Sequence, residues 1–298
     1  MSAFGSARKD FQWIRRPLTA DALSGDKIAV IGGTNGIGRA LARALAMKGA
    51  EVWVVGRKFR DHDLPRAHFI QTDLSEMKNA LKVAQQLPAE TLDCLIMTQG
   101  IFAGSQRKTS TEGIELDMAV SALSRFVLLR ELAGRLGTNR SEGKPKPRVF
   151  VWGFPGKNRK ATLNDFNSQS NYVWKTAHSN GVVVNEVLVL DGATRYRALN
   201  IYGMNPGIIS TNIMAGILGE GSFSLKARQA LMGLLFQSAE EYAEKVLPLL
   251  VSPDIEQHSG AMFNRHAEPI HANPSLLQDS YLQRVVEESD RLVQSALL

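Results

Sequence analysis

The segment YVWKTAHSN at residues 172–180 holds the side chains best suited to transfer a proton. Tyr172 can act as an acid or base if a cation lowers the pKa of its phenol, and Lys175 offers such a cation three residues later. Residues three apart share one face of a helix. The spacing therefore predicts general acid–base chemistry by Tyr172, with Lys175 as its electrostatic partner. His178 has the right pKa but replaces Tyr172 only if the helix begins later.

Each of these three side chains also has a structural interpretation. The phenol can be half-buried at a helix start, the lysine can be solvated, and the histidine can belong to the core. Trp152, Phe154 and Trp174 lie close by in sequence and predict an apolar wall around a substrate cavity. Ordinary core packing explains these three aromatic residues nearly as well.

Seven short apolar runs, which Gly, Asp or Pro bound, alternate with segments of helical period. They read IAVIGG, EVWVVG, HFIQTD, LDCLIMTQG, RVFVWG, NIYGMNPG and GAMFN. Strands that are apolar on both faces and alternate with helices indicate a parallel sheet covered on both sides. We therefore predict an α/β fold, a single Rossmann domain over 26–298 with a doubly wound, seven-stranded parallel sheet. We also predict that residues 1–25 form an arm before it and that residues 208–237 form a lid over the substrate cleft, with surface helices as the alternative.

A glycine-rich turn follows the first of these strands and opens the first helix. Gly32, Gly36 and Gly38 have the spacing GxxxGxG. Glycines suit this turn because the backbone bends sharply and a pyrophosphate must approach the free N–H groups of the helix N-terminus. The predicted contacts to the cofactor also include the neighbouring loop residues Thr34, Asn35 and Ile37.

Arg57 stands at the end of the second strand, where sites that prefer NAD place an acid for the ribose 2′-hydroxyl. Lys58 and Arg60 follow closely. A cation here attracts a 2′-phosphate, so the sequence predicts NADP as the cofactor.

The composition argues against several classes of function. The 298-residue chain has a formal charge of +6, but its basic residues are scattered and match no nucleic-acid motif. No apolar run is long enough to span a membrane, and the histidines lack the spacing of a metal site. The one cysteine, Cys94, lies in an apolar run and fits a reducing compartment, which predicts a cytoplasmic location.

Several motifs together resemble the short-chain dehydrogenase/reductase family. They are the glycine-rich turn, the TDL at 72–74, the TQG at 98–100 and the NPG at 205–207, and the similarity runs from about 27 to 265. The resemblance implies that Asp73 lies against the adenine and that the segment after the sixth strand lies by the nicotinamide. The further cofactor residues that it implies are Leu74, Thr98, Gly100, Pro206, Gly207, Ile208 and Thr211.

The family's catalytic residues are a Ser, a Tyr, a Lys and an Asn. This sequence differs from the family at these positions. The position of the Ser holds Phe154, and that of the Asn holds Ser121. Counting back from the Pro-Gly pair, the positions of Tyr and Lys fall near Thr176 and Asn180. The usual constellation is therefore absent in its usual register.

Part of this catalytic set is present if its positions are shifted about one helical turn toward the N-terminus. Divergent members of this family carry a Tyr-x-x-Lys segment before an Asn-acid pair, and Tyr172, Lys175 and Asn185-Glu186 fit that pattern. We therefore predict that Tyr172 is the proton donor, with His178 as the alternative.

The sequence thus predicts an NADP-dependent oxidoreductase that acts on a carbonyl or alcohol of a bulky hydrophobic small molecule, such as a secondary metabolite. Two alternatives stay open because the catalytic set is incomplete. One is a repurposed fold that catalyses a non-redox isomerisation, cyclisation or dehydration, and the other is a non-catalytic NADP-binding protein. The resemblance also implies a homodimer or homotetramer through the helices at 111–137 and 168–197.

Overall fold

The computed structural model describes residues 5–207, 209 and 237–298. Most of the lid predicted at 208–237, with the predicted cofactor residues Ile208 and Thr211, lies outside the described residues.

One eight-stranded sheet forms the centre of the described chain, with the strand order β3-β2-β1-β4-β5-β6-β7-β8. The strands are β1 (Lys27–Ile31), β2 (Glu51–Gly56), β3 (Ala67–Gln71), β4 (Cys94–Met97), β5 (Arg148–Trp152), β6 (Asn200–Met204), β7 (Met262–Phe263) and β8 (Pro269–Ile270). Strands β1 to β7 are all parallel, as the seven apolar runs predict. The predicted number of strands, seven, is one too few, because the sheet also contains β8. It is two residues long and antiparallel to β7, too short to leave a pattern in the sequence.

The sheet is covered on both faces by helices. Those in the described residues are α1 (Gly36–Met47), α2 (Met77–Gln86), α3 (Leu116–Met118), α4 (Ser124–Leu132), α5 (Trp174–Arg195), α6 (Ala239–Leu250) and α7 (Asp279–Leu297). A π-helical turn, Ala119–Leu123, joins α3 to α4. Single 3-10 turns lie at Ala89–Thr91, Leu163–Asp165, Pro253–Ile255 and Pro274–Leu277.

Alternate residues of each strand face two separate apolar cores. Along β1, Ile28 and Val30 pack with α1 and α6, whereas Ala29 and Ile31 pack with α2, α4, α5 and α7. Strands β4, β5 and β6 are buried at every position. This double burial explains why the central strands read as continuous apolar runs.

Helix α7 covers the surface on which the family resemblance places subunit contacts. It packs against α2 and α5, and its Asp290 forms a 2.9 Å ion pair with Arg130 of α4.

The described part of the N-terminal arm is an extended segment docked on the C-terminal half of the chain. The ring of Phe11 stacks on that of His258 with 3.9 Å between centroids. The indole nitrogen of Trp13 donates a hydrogen bond to the Ala267 carbonyl. The arm therefore closes one side of the core between α1 and α6, in which Phe11 is itself buried.

Candidate active site

The glycine-rich turn lies between β1 and α1 and is packed too tightly for side chains. Gly32 has φ +79°, and a Cβ there would lie 2.5 Å from the backbone nitrogen of Gln99. A Cβ on Gly38 would overlap the Thr98 hydroxyl and the Gly32 carbonyl. Gly36, with φ +50°, starts α1 in the left-handed region that favours glycine. The three glycines therefore let the β1 turn, the start of α1 and the end of β4 touch one another.

The N-terminus of α1 is open to an anion. Asn35 has extended backbone, and its side chain makes no capping hydrogen bond within the described chain. Uncapped N–H groups at a helix N-terminus, together with the helix dipole, bind phosphate. Thr34 packs beside them against the end of β2, where a Cβ on Gly56 would lie 2.5 Å from the Thr34 hydroxyl.

Arg57 follows the last residue of β2 and is exposed. The nearby acid Asp61 is buried and already pairs with Arg39 and Arg43, at 2.7 and 2.6 Å. The hydrogen bond from Arg39 is the main cause that lowers the pKa of Asp61. The carboxylate of Asp61 therefore faces α1, and the exposed residues Arg57 and Lys58 follow Gly56, which packs against Thr34 of the glycine-rich turn.

The other described residues that we predicted to contact the cofactor lie at the carboxyl ends of parallel strands, which meet at one edge of the sheet. The structure places Asp73 on the surface after β3, where its carboxylate accepts a hydrogen bond from the Ser75 backbone at 3.0 Å. Leu74 is buried in the core, so only its backbone can reach a ligand. Thr98 follows β4, and its hydroxyl donates to the Ile31 carbonyl at 2.8 Å.

The same edge also contains Gly100, Pro206 and Gly207. Gly207 follows β6, and its backbone N–H donates to the side-chain oxygen of Asn205 at 3.1 Å. The Asn205 amide donates in turn to the Pro155 carbonyl at 2.9 Å, which ties this turn to the loop after β5.

The predicted helical pairing of Tyr172 with Lys175 is wrong. Helix α5 begins at Trp174, because the backbone of Val173 is extended, so Tyr172 precedes the helix. The Tyr172 hydroxyl donates to the Gly104 carbonyl at 2.9 Å. Lys175 is exposed, and its ammonium lies 5.7 Å from the ring of Trp174.

The electrostatics of Tyr172 also differ from the prediction. Burial is the main cause that raises the pKa of its phenol to about 12, and the carboxylates of Glu115 and Asp117 add to the effect. We expected Lys175 to lower this pKa. It does not, because Lys175 is exposed to solvent while burial and the charges of Glu115 and Asp117 raise the pKa of the phenol.

His178 is held by a buried carboxylate. Its Nδ1 lies 2.9 Å from an oxygen of Asp117, whose side chain is 5% exposed. The other Asp117 oxygen accepts a hydrogen bond from the Ser121 hydroxyl at 2.5 Å. The Ser121 oxygen also accepts the backbone N–H of Ile101 at 3.0 Å. A polar chain therefore runs from α5 through α3 to the loop after β4.

Asp117 was not among the predicted site residues, since it lies 61 residues from His178 in the sequence. One signal was available, because an acid inside the apolar run IELDMAV, four residues before Ser121, needs buried partners if that run is a helix.

Aromatic rings flank the imidazole of His178. The ring centroids of Phe102 and Phe154 lie 4.5 and 6.1 Å from that of His178. Trp174 packs edge-on against Phe102 at 6.3 Å. Trp152 is different: it is buried and donates to the Tyr242 hydroxyl at 3.1 Å, so it belongs to the core.

The positions that the family register assigns to Tyr and Lys hold other groups. Asn180 is buried, and its side chain binds the backbone of Thr162 and Phe166 at 2.9 and 3.1 Å. This amide holds the segment before α5 in place. It is committed to the backbone and is not free to act on a substrate.

Arg125 is a buried cation under the carboxyl edge of the sheet. Its guanidinium donates to the carbonyls of Gln99 and Trp152 and to the side-chain oxygen of Asn185. Burial lowers the pKa of Arg125 to about 9. These bonds tie the ends of β4 and β5 to α5, and the sequence pattern gave no sign of them.

Glu186 is a buried carboxyl that holds two backbone segments together. It accepts the N–H of Gly156 at 3.3 Å and that of Asn273 at 2.5 Å. Burial raises its pKa from 4.5 to about 7. Both members of the Asn185-Glu186 pair are thus engaged in packing contacts.

We expect the pKa of Glu186 to make stability depend on pH. Between pH 4.5 and about 7 the folded chain keeps a proton that the unfolded chain has lost, so stability falls as pH rises. The total loss is about 3 kcal/mol. Urea denaturation at several pH values measures it. Glu186→Gln should remove this slope, and Glu287→Gln, at an exposed acid on α7, should keep it. A variant at 186 with an unchanged slope would contradict the assignment.

The described residues contain no group of three or more His, Cys, Asp or Glu that could hold a metal ion. Cys94 is buried, and burial raises the pKa of its thiol, so it is an inert core residue. None of the helices described for this chain is long and apolar enough to cross a bilayer.

A doubly wound parallel sheet whose glycine-rich turn leads into an uncapped helix N-terminus at the carboxyl edge is typical of dinucleotide-binding α/β proteins. Comparison with known proteins supports the same class. The family described as short chain dehydrogenase matches residues 26–144. An uncharacterized oxidoreductase of Saccharomyces cerevisiae is 39% identical over 96% of this chain and 93% of its own.

The chain belongs to the short-chain dehydrogenase/reductase family. Retinol dehydrogenase 12 of Mus musculus is 26% identical over 80% of this chain and 77% of its own. A short chain dehydrogenase from Shigella flexneri, solved with NADP, has a TM-score of 0.58 at 17% identity. It covers 83% of this chain and 99% of its own. The predicted fold class is confirmed.

Proposed function

We propose that the protein is an NADP(H)-dependent oxidoreductase that interconverts a carbonyl and an alcohol on a bulky hydrophobic small molecule. The observation that carries the proposal is the uncapped N-terminus of α1 beside Arg57, at the carboxyl edge where β1, β2 and β4 end. The NADP bound to the Shigella relative and the name of the mouse retinol dehydrogenase agree with this cofactor and with an apolar alcohol.

The chain's own residues account for cofactor binding. Backbone N–H groups at the start of α1 would hold the pyrophosphate, and Arg57 would hold the 2′-phosphate. Asp73 would lie against the adenine. When bound, NADPH supplies the hydride that a carbonyl carbon accepts.

We assign to His178 the transfer of the proton that the carbonyl oxygen takes up when the carbon accepts a hydride. Imidazole gives and takes protons near neutral pH, whereas the phenol of Tyr172 has a raised pKa and donates a hydrogen bond to the Gly104 carbonyl. The carboxylate of Asp117 holds one ring nitrogen and so fixes the orientation of the imidazole. The other ring nitrogen has no hydrogen-bond partner in the described residues, and it lies among aromatic rings that can receive an apolar substrate.

A non-redox reaction on the same fold is the second candidate. The observation in its favour is Phe154, which puts an aromatic ring where the family has a hydroxyl to orient the carbonyl. A His–Asp pair could then catalyse an isomerisation or dehydration without consuming cofactor. The two candidates differ in stoichiometry. One NADPH consumed per product formed supports the oxidoreductase, and turnover without NADPH consumption supports the other.

The cofactor preference has its own test. We expect tighter binding of NADPH than of NADH, and Arg57→Ala should remove about 1–3 kcal/mol of that preference by loss of a charge-assisted hydrogen bond. Calorimetric titration with both cofactors measures it. Lys82→Ala, at an exposed lysine on α2, removes the same charge elsewhere and should leave the preference intact. Equal affinities in the native chain would contradict the role of Arg57.

A further inference from the structure

A cavity of about 480 Å³ lies where the loop after β5 meets the N-terminal arm and the segment after β8. Three basic side chains line it: Lys157, Arg159 and His271. Among the described residues no carboxylate lines this cavity. The described walls of the cavity therefore carry an excess of positive charge with no carboxylate to offset it.

Lys157 has no counter-ion in the described chain. It is half-buried, and its ammonium lies 5.2 Å from the centroid of the Phe154 ring. Arg159 donates one hydrogen bond, to the Ser179 hydroxyl on α5, and forms no ion pair with a described residue. Burial and the neighbouring charge of Arg159 both lower the pKa of Lys157. Two cations that are close together and partly desolvated are unfavourable unless an anion joins them.

The acids around the cavity are engaged elsewhere. Glu186 accepts backbone N–H groups from Gly156 and Asn273 and is buried between them. Asp10, which faces His271, is paired with Arg8. Neither carboxylate is paired with Lys157 or Arg159.

The backbone of the loop is held in an uncommon shape. Phe154 has φ +54° and Asn158 has φ +46°, in the left-handed region that costs a non-glycine residue about 1–2 kcal/mol. Gly156 between them has φ +80°. Such strain persists where the surrounding structure enforces it, and it is concentrated at ligand sites. Here it turns Lys157 and Arg159 toward one cavity.

We propose that this cavity binds the phosphate or carboxylate group of a small molecule, with Lys157 and Arg159 as its ligands and His271 at the rim. The site is distinct from the proposed proton-transfer site. The ring of Phe154 separates the two, since it contacts both Lys157 and His178. The anion is either a group of the substrate or a separate effector, and these sources share the same chemistry.

Inorganic phosphate and succinate are the probes, titrated into the full chain by calorimetry and by thermal shift. Each should bind and raise the melting temperature, and Lys157→Gln or Arg159→Gln should weaken binding at least about tenfold, the scale of one charge-assisted contact. Lys160→Gln, at an exposed lysine in the same loop, should bind as the native chain does. Without phosphate, Lys157→Gln should melt no lower than the native chain, since it removes a like-charge contact. Binding that is unchanged in both variants, or absent in the native chain, would overturn the proposal.

Turnover measurements identify the source of the anion. If the anion belongs to the substrate, phosphate competes with carboxylate-bearing carbonyl compounds, and Lys157→Gln raises KM for those compounds only. If it is an effector, phosphate changes the turnover of neutral carbonyl compounds without competing. The titrations need no turnover, so failure of the proposed oxidoreductase activity is distinguishable from failure of this site.

Discussion

Replacing His178 with alanine should lower kcat by about 10²–10⁴-fold and leave the affinity for NADPH nearly unchanged. The variant removes the group that we assign to proton transfer and leaves the glycine-rich turn intact. Asp117→Asn should also lower kcat, because an amide can select the wrong tautomer of His178 at the ring nitrogen that Asp117 holds. Steady-state kinetics with NADPH and a range of apolar aldehydes and ketones measures both effects.

Tyr172→Phe is the control for this assignment. It removes a hydroxyl that donates to the Gly104 carbonyl, so it should cost stability rather than most of the turnover. An inactive Tyr172→Phe beside an active His178→Ala would restore the proton donor predicted from the spacing of residues 172–175. Full activity in both variants would exclude proton transfer by this segment and favour the non-redox candidate.

Gly36→Val should abolish NADPH binding while the chain still folds. Gly36 has φ +50° at the first position of α1, where a valine side chain would occupy the space in which the pyrophosphate meets the helix. The measurement is calorimetric titration together with the circular dichroism spectrum of the variant.

Gly143→Val is the matched control, because Gly143 has φ +81° in an exposed loop with nothing near its Cβ position. It carries comparable backbone strain far from the turn and should bind NADPH normally. Tight binding of NADPH by Gly36→Val would show that the glycine-rich sequence is only a turn.

The fold could be predicted from the sequence because the patterns that indicate it are local. Each buried parallel strand is a continuous apolar run, and the seven that we predicted are the seven parallel strands observed. The glycine-rich turn was equally readable, since its spacing and its flanking strand and helix lie within a few residues of one another. Strand β8 was missed because it is a two-residue pairing created by the chain reversal after β7.

The proposed proton-transfer site was harder to predict from the sequence, because it depends on where one helix begins. Extended backbone at Val173 starts α5 two residues after Tyr172, and this start turns His178 toward Asp117. No periodicity in the sequence fixes such a boundary to within two residues. The partners of Arg125 and Glu186 were hidden for another reason: they are backbone groups from distant segments, which leave no mark on residue type.

The π-helical turn between α3 and α4 has a consequence for comparing this chain with its relatives. A π turn holds one more residue than an α turn, so the helix gains a residue between Asp117 and Ser124 without any visible gap. If a relative has a regular α-helix over this stretch, residue counts across the turn differ by one position between the two chains. Ser121, which lies inside it, would then be matched with a neighbour of its true counterpart. Homologous positions along this helix should therefore be assigned from superposed backbones, and residue counting should stop at the turn.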